Sequence, residues 1–113
     1  MTRFSHLAAA AAALTLACTT PAARAADAPP PAAVTVPIKS FAFMTMSVTV
    51  AAGGSVTWKN LDGEPHTVVS TDGVFRSAAL DEGDSYTFKF SKPGVYNYIC
   101  SIHPQMRATV VVK

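Results

Sequence analysis

The chain reads as a small all-β domain, a β-sandwich or small barrel of about seven or eight short antiparallel strands. Three observations predict this. Short runs rich in Val, Ile, Thr, Phe and Tyr recur through residues 34–113, separated by turn residues. Several runs alternate apolar and polar side chains, the period of a half-buried strand. No helical period is sustained for long beyond the Pro/Ala-rich stretch that ends at Pro31. The 113 residues make one domain at most, and a chain that is 50% hydrophobic and 14% charged is no disordered polyelectrolyte.

The elements follow in order. Val34 to Ile38 is the first run, and Pro37, lacking an N–H, argues that it lies on a sheet edge. Ser47 to Val50 alternates and is closed by the turn Ala51 to Gly54. Ser55 to Lys59 alternates again, with Val56 and Trp58 on one face. His66 to Ser70 is a run closed by Asp72-Gly73, and Val74 to Glu82 is irregular, with room for a helical turn. Tyr86, Phe88 and Phe90 share a face of the next strand, which ends in the turn Ser91-Lys92-Pro93-Gly94. Val95 to Cys100 and Ala108 to Val112 complete the set. Trp58, Phe88, Phe90 and Tyr96 are the expected heart of the core.

The first 25 residues read as an export signal. Arg3 supplies a positive start, Leu7 to Ala17 an apolar run too short for a membrane anchor, and Ala23-Arg24-Ala25 a small-x-small cleavage site. Residues 26–33 are then a Pro/Ala-rich segment and 34–113 the folded domain. Leu16-Ala17-Cys18 resembles part of a lipoprotein acylation site, with Thr15 where Leu is usual. Cys18 is read as part of the discarded peptide. If it were retained with a lipid, Thr19 to Pro31 would be a tether. The expected location is the periplasm, with no stable membrane insertion.

Removal of the signal changes the charge. Seven basic residues beyond position 25 (Lys39, Lys59, Arg76, Lys89, Lys92, Arg107, Lys113) face seven acidic ones (Asp27, Asp62, Glu64, Asp72, Asp81, Glu82, Asp84). A neutral chain lacks the basic stripe that nucleic acid requires. Removal also leaves Cys100 as a lone cysteine, so an internal disulfide is impossible and stability must come from the core, a metal or both.

The chemistry-bearing residues are few. Cys100-Ser101-Ile102-His103-Pro104-Gln105-Met106 places a thiol, an imidazole and a thioether three residues apart, in a tight loop between two strands. Thiolate and thioether are soft ligands and imidazole is intermediate. Zinc gains little from Met, and calcium and magnesium want oxygen. Two His, one Cys and a weak Met suit copper in both its oxidation states. The second His must be His66, which follows the rigid Pro65 where a loop enters a strand. Singly, each residue has a bland reading as core filler or surface group. Jointly, every His and Cys of residues 26–113 fits one site. Met44 and Met46, at period-two spacing, are assigned to packing, with a methionine pair for copper trafficking as the minor reading. A Cys/His nucleophilic enzyme, with Asn60 nominally completing a triad, has little room for a substrate cleft, and catalysis is not expected.

With these residues in view, the chain resembles the cupredoxins, the small blue-copper proteins. Tyr96 to Met106 carries most of the resemblance, supported by Val56-Thr57-Trp58-Lys59-Asn60 and Glu64-Pro65-His66-Thr67-Val68. The two-residue gap between His103 and Met106, and the Met106-Arg107 junction, are similar to the amicyanin branch. The resemblance implies a Greek-key β-sandwich with one copper ion per chain near one end. It implies His66, Cys100, His103 and Met106 as ligands, and Asn60 as the residue that ties the two ligand loops together and supports the thiolate. Glu64 departs from the branch, where an apolar residue stands near the docking face.

The function expected is one-electron carriage between exported redox proteins, with a periplasmic dehydrogenase or a c-type cytochrome as partner and a monomeric carrier. The alternative is a periplasmic copper-binding or copper-delivery protein. His103, bordered by Ile102, Pro104 and Gln105, is the expected exposed edge through which electrons pass.

Overall fold

A computed structural model describes residues 28–113 together with Thr2, Ser5 and residues 9–19. The expected cleavage site, Ala23-Arg24-Ala25, lies outside the described residues. Among the described residues there are eight strands: β1 (Ala33–Lys39), β2 (Ala42–Phe43), β3 (Ser47–Val50), β4 (Ser55–Asn60), β5 (Val69–Ser70), β6 (Ser85–Lys89), β7 (Gly94–Ile99) and β8 (Arg107–Val112). They form two four-stranded sheets, ordered β2-β1-β4-β6 and β3-β8-β7-β5. This is the all-β sandwich the alternating runs predict. No helix of the described residues is long and apolar enough to cross a membrane.

Alternation builds the core. Val56, Trp58 and Asn60 point inward from β4, and Ala108, Val110 and Val112 from β8. Trp58, fully buried, stacks on Phe75 and Tyr86 and meets Tyr98 edge-on at 5.3 Å. Phe90 and Tyr96 are buried as expected, whereas Phe88 packs at the margin. The Tyr96 hydroxyl donates to the Lys92 carbonyl at 2.6 Å and so pins the turn before β7.

Four expectations need correction. The sandwich is not wholly antiparallel, since β1 pairs parallel with β4 and β3 with β8. The chain switches sheets between β2 and β3 and again between β3 and β4, which lays β4 alongside β1 in the same direction. Pro37 is not on an outermost strand, because β2 lies beyond β1. The Ala32 and Ile38 carbonyls bond toward β4, whereas the Pro37 carbonyl accepts from Met44. Pro37 therefore turns its missing N–H away from β4, where no ladder bond is lost. Val74 to Glu82 has no helical turn and runs extended, bridged at Arg76 to Val69 and at Leu80 to His66. Met44 and Met46 are 47% and 70% exposed, not packed, because they flank Thr45 (φ 72°) in the bend between β2 and β3. Strand periodicity does not apply there.

Gly54 joins β3 to β4 at a close backbone approach. A Cβ at this position would lie 2.6 Å from the Ala32 carbonyl oxygen and 2.9 Å from that of Ala51. Gly54→Ala is predicted to lower unfolding free energy by about 1–3 kcal/mol, the usual cost of overpacking against atoms that cannot yield. Urea unfolding measures this, and a change below about 0.5 kcal/mol, the scatter of neutral surface changes, would refute the close packing.

Candidate metal centre

Three loops meet at one end of the sandwich. The first is the two-residue turn Ser40-Phe41 between β1 and β2. The second runs from Leu61 to Val68 after β4, and the third from Cys100 to Met106 between β7 and β8. Each of the last two leaves a central strand, so its first residues inherit a fixed position.

Cys100 follows the last residue of β7 and is fully buried. Its N–H donates to the Met106 carbonyl at 3.1 Å, and the Met106 N–H donates to the His103 carbonyl at 2.9 Å. These two bonds close the loop on itself. Met106 is buried at the mouth of β8, while His103 is half-buried among the exposed Ile102, Pro104 and Gln105. His66 is fully buried and exchanges two backbone bonds with Leu80, at 3.1 and 2.7 Å.

The Cys100 Sγ lies 3.9 Å from the His66 Nδ1 and 3.7 Å from the His103 Nδ1. The donor atoms of the three residues all lie within 4.8 Å of one another. Metal bonds of about 2.0–2.3 Å, at angles from tetrahedral to trigonal, place a sulfur and a nitrogen about 3.5–3.8 Å apart. The donors thus stand nearly at coordinating distance, and a set of one soft sulfur and two imidazoles fits copper.

Thr67 supports the sulfur. Its N–H donates to the Cys100 Sγ at 3.4 Å, and its hydroxyl lies 3.7 Å from the same atom. The Ser101 N–H donates to the Thr67 Oγ1 at 2.7 Å, which joins the His66 loop to the Cys100 loop. This corrects the role expected of Asn60. Asn60 is fully buried, but its Nδ2 donates to the Glu64 and Leu80 carbonyls, and its Oδ1 accepts from the Asp62 N–H. It braces the His66 loop against the segment around Leu80, and the tie to the Cys100 loop and the support of sulfur fall to Thr67. A short polar side chain directly after His66 was the available signal.

Burial pushes the Cys100 thiol up, but the Thr67 N–H and the His66 and His103 rings outweigh it and bring it from about 9 down to about 6. Asp62 behaves likewise. Burial raises it, whereas the Phe41 and Ser40 N–H groups and the His66 ring hold it below the usual carboxylate range. Its Oδ2 lies 2.9 Å from the His66 Nε2. Asp62 and Phe41 both belong to the site and were not singled out from the sequence.

Two packed β-sheets with a buried thiol and two imidazoles at one end define a metal-binding β-sandwich. The chain belongs to the cupredoxin-like family, whose domain profile matches residues 7–112. It is similar to amicyanin-alpha of Methylorubrum extorquens, with 40% identity over 83 residues, 69% of this chain and 70% of the relative. It is similar to plastocyanin of Scenedesmus fuscus, with 34% identity over 87 residues, 66% of this chain and 89% of the relative. Among solved structures it matches a reduced, Cu(I) form of an amicyanin variant with a TM-score of 0.69 and 31% identity, covering 72% of this chain and 82% of the other.

The lowered thiol yields a prediction with a definite sign. The thiolate contributes stability to the metal-free protein at alkaline pH, and that contribution is lost as pH falls from about 9 through about 6. Thiolate ultraviolet absorbance of the metal-free protein should titrate with a midpoint near 6. A midpoint at the free-thiol value of about 8.5 would contradict the assigned role of Thr67 and the two rings.

Proposed function

We infer that this chain is a type 1 blue-copper electron carrier that moves single electrons between redox proteins. The observation that carries the inference is the Cys100, His66 and His103 donor cluster on a cupredoxin sandwich. The likeness to amicyanin and plastocyanin supports it. His66, Cys100, His103 and Met106 are assigned as the residues that would hold the metal, with the Met106 thioether as the weakest donor. Copper held there supplies one-electron chemistry between Cu(I) and Cu(II).

The chain's own residues make that exchange easy. Thr67 and Ser101 hold the Cys100 sulfur and its loop against the His66 loop. Leu80 holds the His66 backbone, and the Asn60 amide holds the Leu80 carbonyl in turn. Donors fixed before an electron arrives need little rearrangement, so little energy opposes transfer. His103 is the least buried of the three clustered donors and is assigned as the electron port. Ile102, Pro104 and Gln105 around it offer a small docking patch, in keeping with redox encounters that bury little area. The exposed Asp81, Glu82 and Asp84 add a local negative field for orienting a partner.

The proposal extends to location and partners. Residues 1–25 direct export, the carrier works as a monomer in the periplasm, and a dehydrogenase or c-type cytochrome exchanges electrons with it. It carries electrons and performs no catalysis of its own. Delivery of copper is the less favoured role, since a fully buried Cys100 and His66 hinder hand-over of the ion.

Expression of the full chain in a bacterial host with copper, followed by mass and metal analysis of the periplasmic fraction, tests this reading. The expected product begins at Ala26, holds one copper per chain, is intensely coloured when oxidised, and cycles repeatedly without losing metal. Cys100→Ser should abolish the colour. Colourless wild-type protein, or copper lost at each reduction, would overturn the reading.

A further inference from the structure

The turn between β1 and β2 is strained where strain is unexpected. Ser40 and Phe41 occupy its two central positions at φ 54° and 57°. Asn-Gly and similar pairs fill such turns, and a bulky residue at positive φ is a strained outlier. Strain of this kind persists only where the surroundings over-determine it. Here the surroundings are Asp62, which accepts the Ser40 N–H at 2.8 Å and the Phe41 N–H at 2.9 Å.

The same carboxylate reaches the metal centre. Its Oδ2 also meets the His66 Nε2, and an ionised carboxylate can only accept. Asp62 therefore holds a proton on the His66 Nε2. Asp62 is itself held through its N–H by the buried Asn60.

The strained turn places one ring. Phe41 meets His66 edge-on at 5.3 Å and His103 edge-on at 5.1 Å, both at 89°. The two imidazoles are 5.1 Å apart, so the three rings form a nearly equilateral triangle. Phe41 is 47% exposed, so burial of its own surface is a weak reason to hold an unfavourable backbone. Its contacts with two histidines from different loops are the better reason, since edge-on ring pairs are favourable beyond the area they bury.

We propose that Phe41 and Asp62 act together as positioning residues: Asp62 clamps the strained turn and His66 at once, and the Phe41 ring holds the His66 and His103 imidazoles at donor spacing before any metal arrives. The proposal rests on the copper-carrier reading for the identity of the metal only, since the ring triangle exists without it.

Phe41→Gly separates positioning from simple hairpin geometry, because it relieves the backbone strain while deleting the ring. The primary readout is nitrogen NMR of the imidazoles in the metal-free full chain at one pH. Wild type should show one narrow set of ring signals with the His66 proton on Nε2. Phe41→Gly should broaden or double the signals of both rings, Asp62→Asn should mix the His66 tautomers, and Phe41→Tyr should restore the wild-type pattern. Loss of copper to a chelator should quicken by about 10–100-fold in Phe41→Gly and Asp62→Asn. Unchanged ring signals in Phe41→Gly, with copper loss within about twofold of wild type, would overturn the proposal. Wild-type protein that binds no copper but shows the predicted ring behaviour would overturn the carrier reading and leave the positioning role standing.

Discussion

A sulfur anion buried at the end of a β-sheet is the constraint around which this molecule is organised. Burial alone would keep Cys100 protonated, and a protonated thiol is a poor metal ligand. The surroundings reverse that tendency with the Thr67 N–H and two imidazoles drawn to within 4 Å of one sulfur. His103 is a sequence neighbour of Cys100, but the other two groups are not. His66 and Thr67 lie more than thirty residues away and arrive because β5 pairs with β7, setting Val69 opposite Ile99. The site is therefore a product of sheet register, and a slip of one residue would turn the sulfur to the other face.

The sandwich and the centre support each other. Trp58, Tyr98 and Phe75 fill the middle of the fold, and β4 continues from Trp58 to Asn60, whose side chain sets the Leu61 to Val68 loop. From Asn60 a chain of hydrogen bonds runs through Asp62 to the Ser40-Phe41 turn and to His66. One buried amide thereby connects the core to the metal-binding end. The centre is held because its loops are bonded to one another and, through Asn60, to the end of β4, which suits a carrier that must change charge without changing shape.

Much of this was legible in the residues themselves. The alternation of Val56 with Trp58 announced an inward face that the structure reproduces. The Cys100 to Met106 spacing announced a ligand loop, and one remaining His completed the donor cluster. What was not legible depends on distant parts of the chain. Parallel pairing of β1 with β4 follows from two changes of sheet, which no local pattern records. Met44 and Met46 carry strand spacing but sit in a bend, so periodicity misassigned them. Nothing in the local sequence sets Asp62 apart from the other acidic residues, or Phe41 from the other apolar ones. Their roles appear only when the turn, the His66 loop and the Cys100 loop are brought to one end. Thr67 stands beside His66 in the sequence, yet its bond to sulfur depends on Cys100, which begins the other ligand loop.

The central claim is that one set of donors serves copper in both oxidation states. X-ray absorption spectroscopy at the copper edge, on the oxidised and reduced protein at mildly alkaline pH, tests it most directly. The account predicts one sulfur and two nitrogens at short distance in each state, with bond lengths that change little between them. A first shell without sulfur, or one rebuilt on reduction, would contradict it.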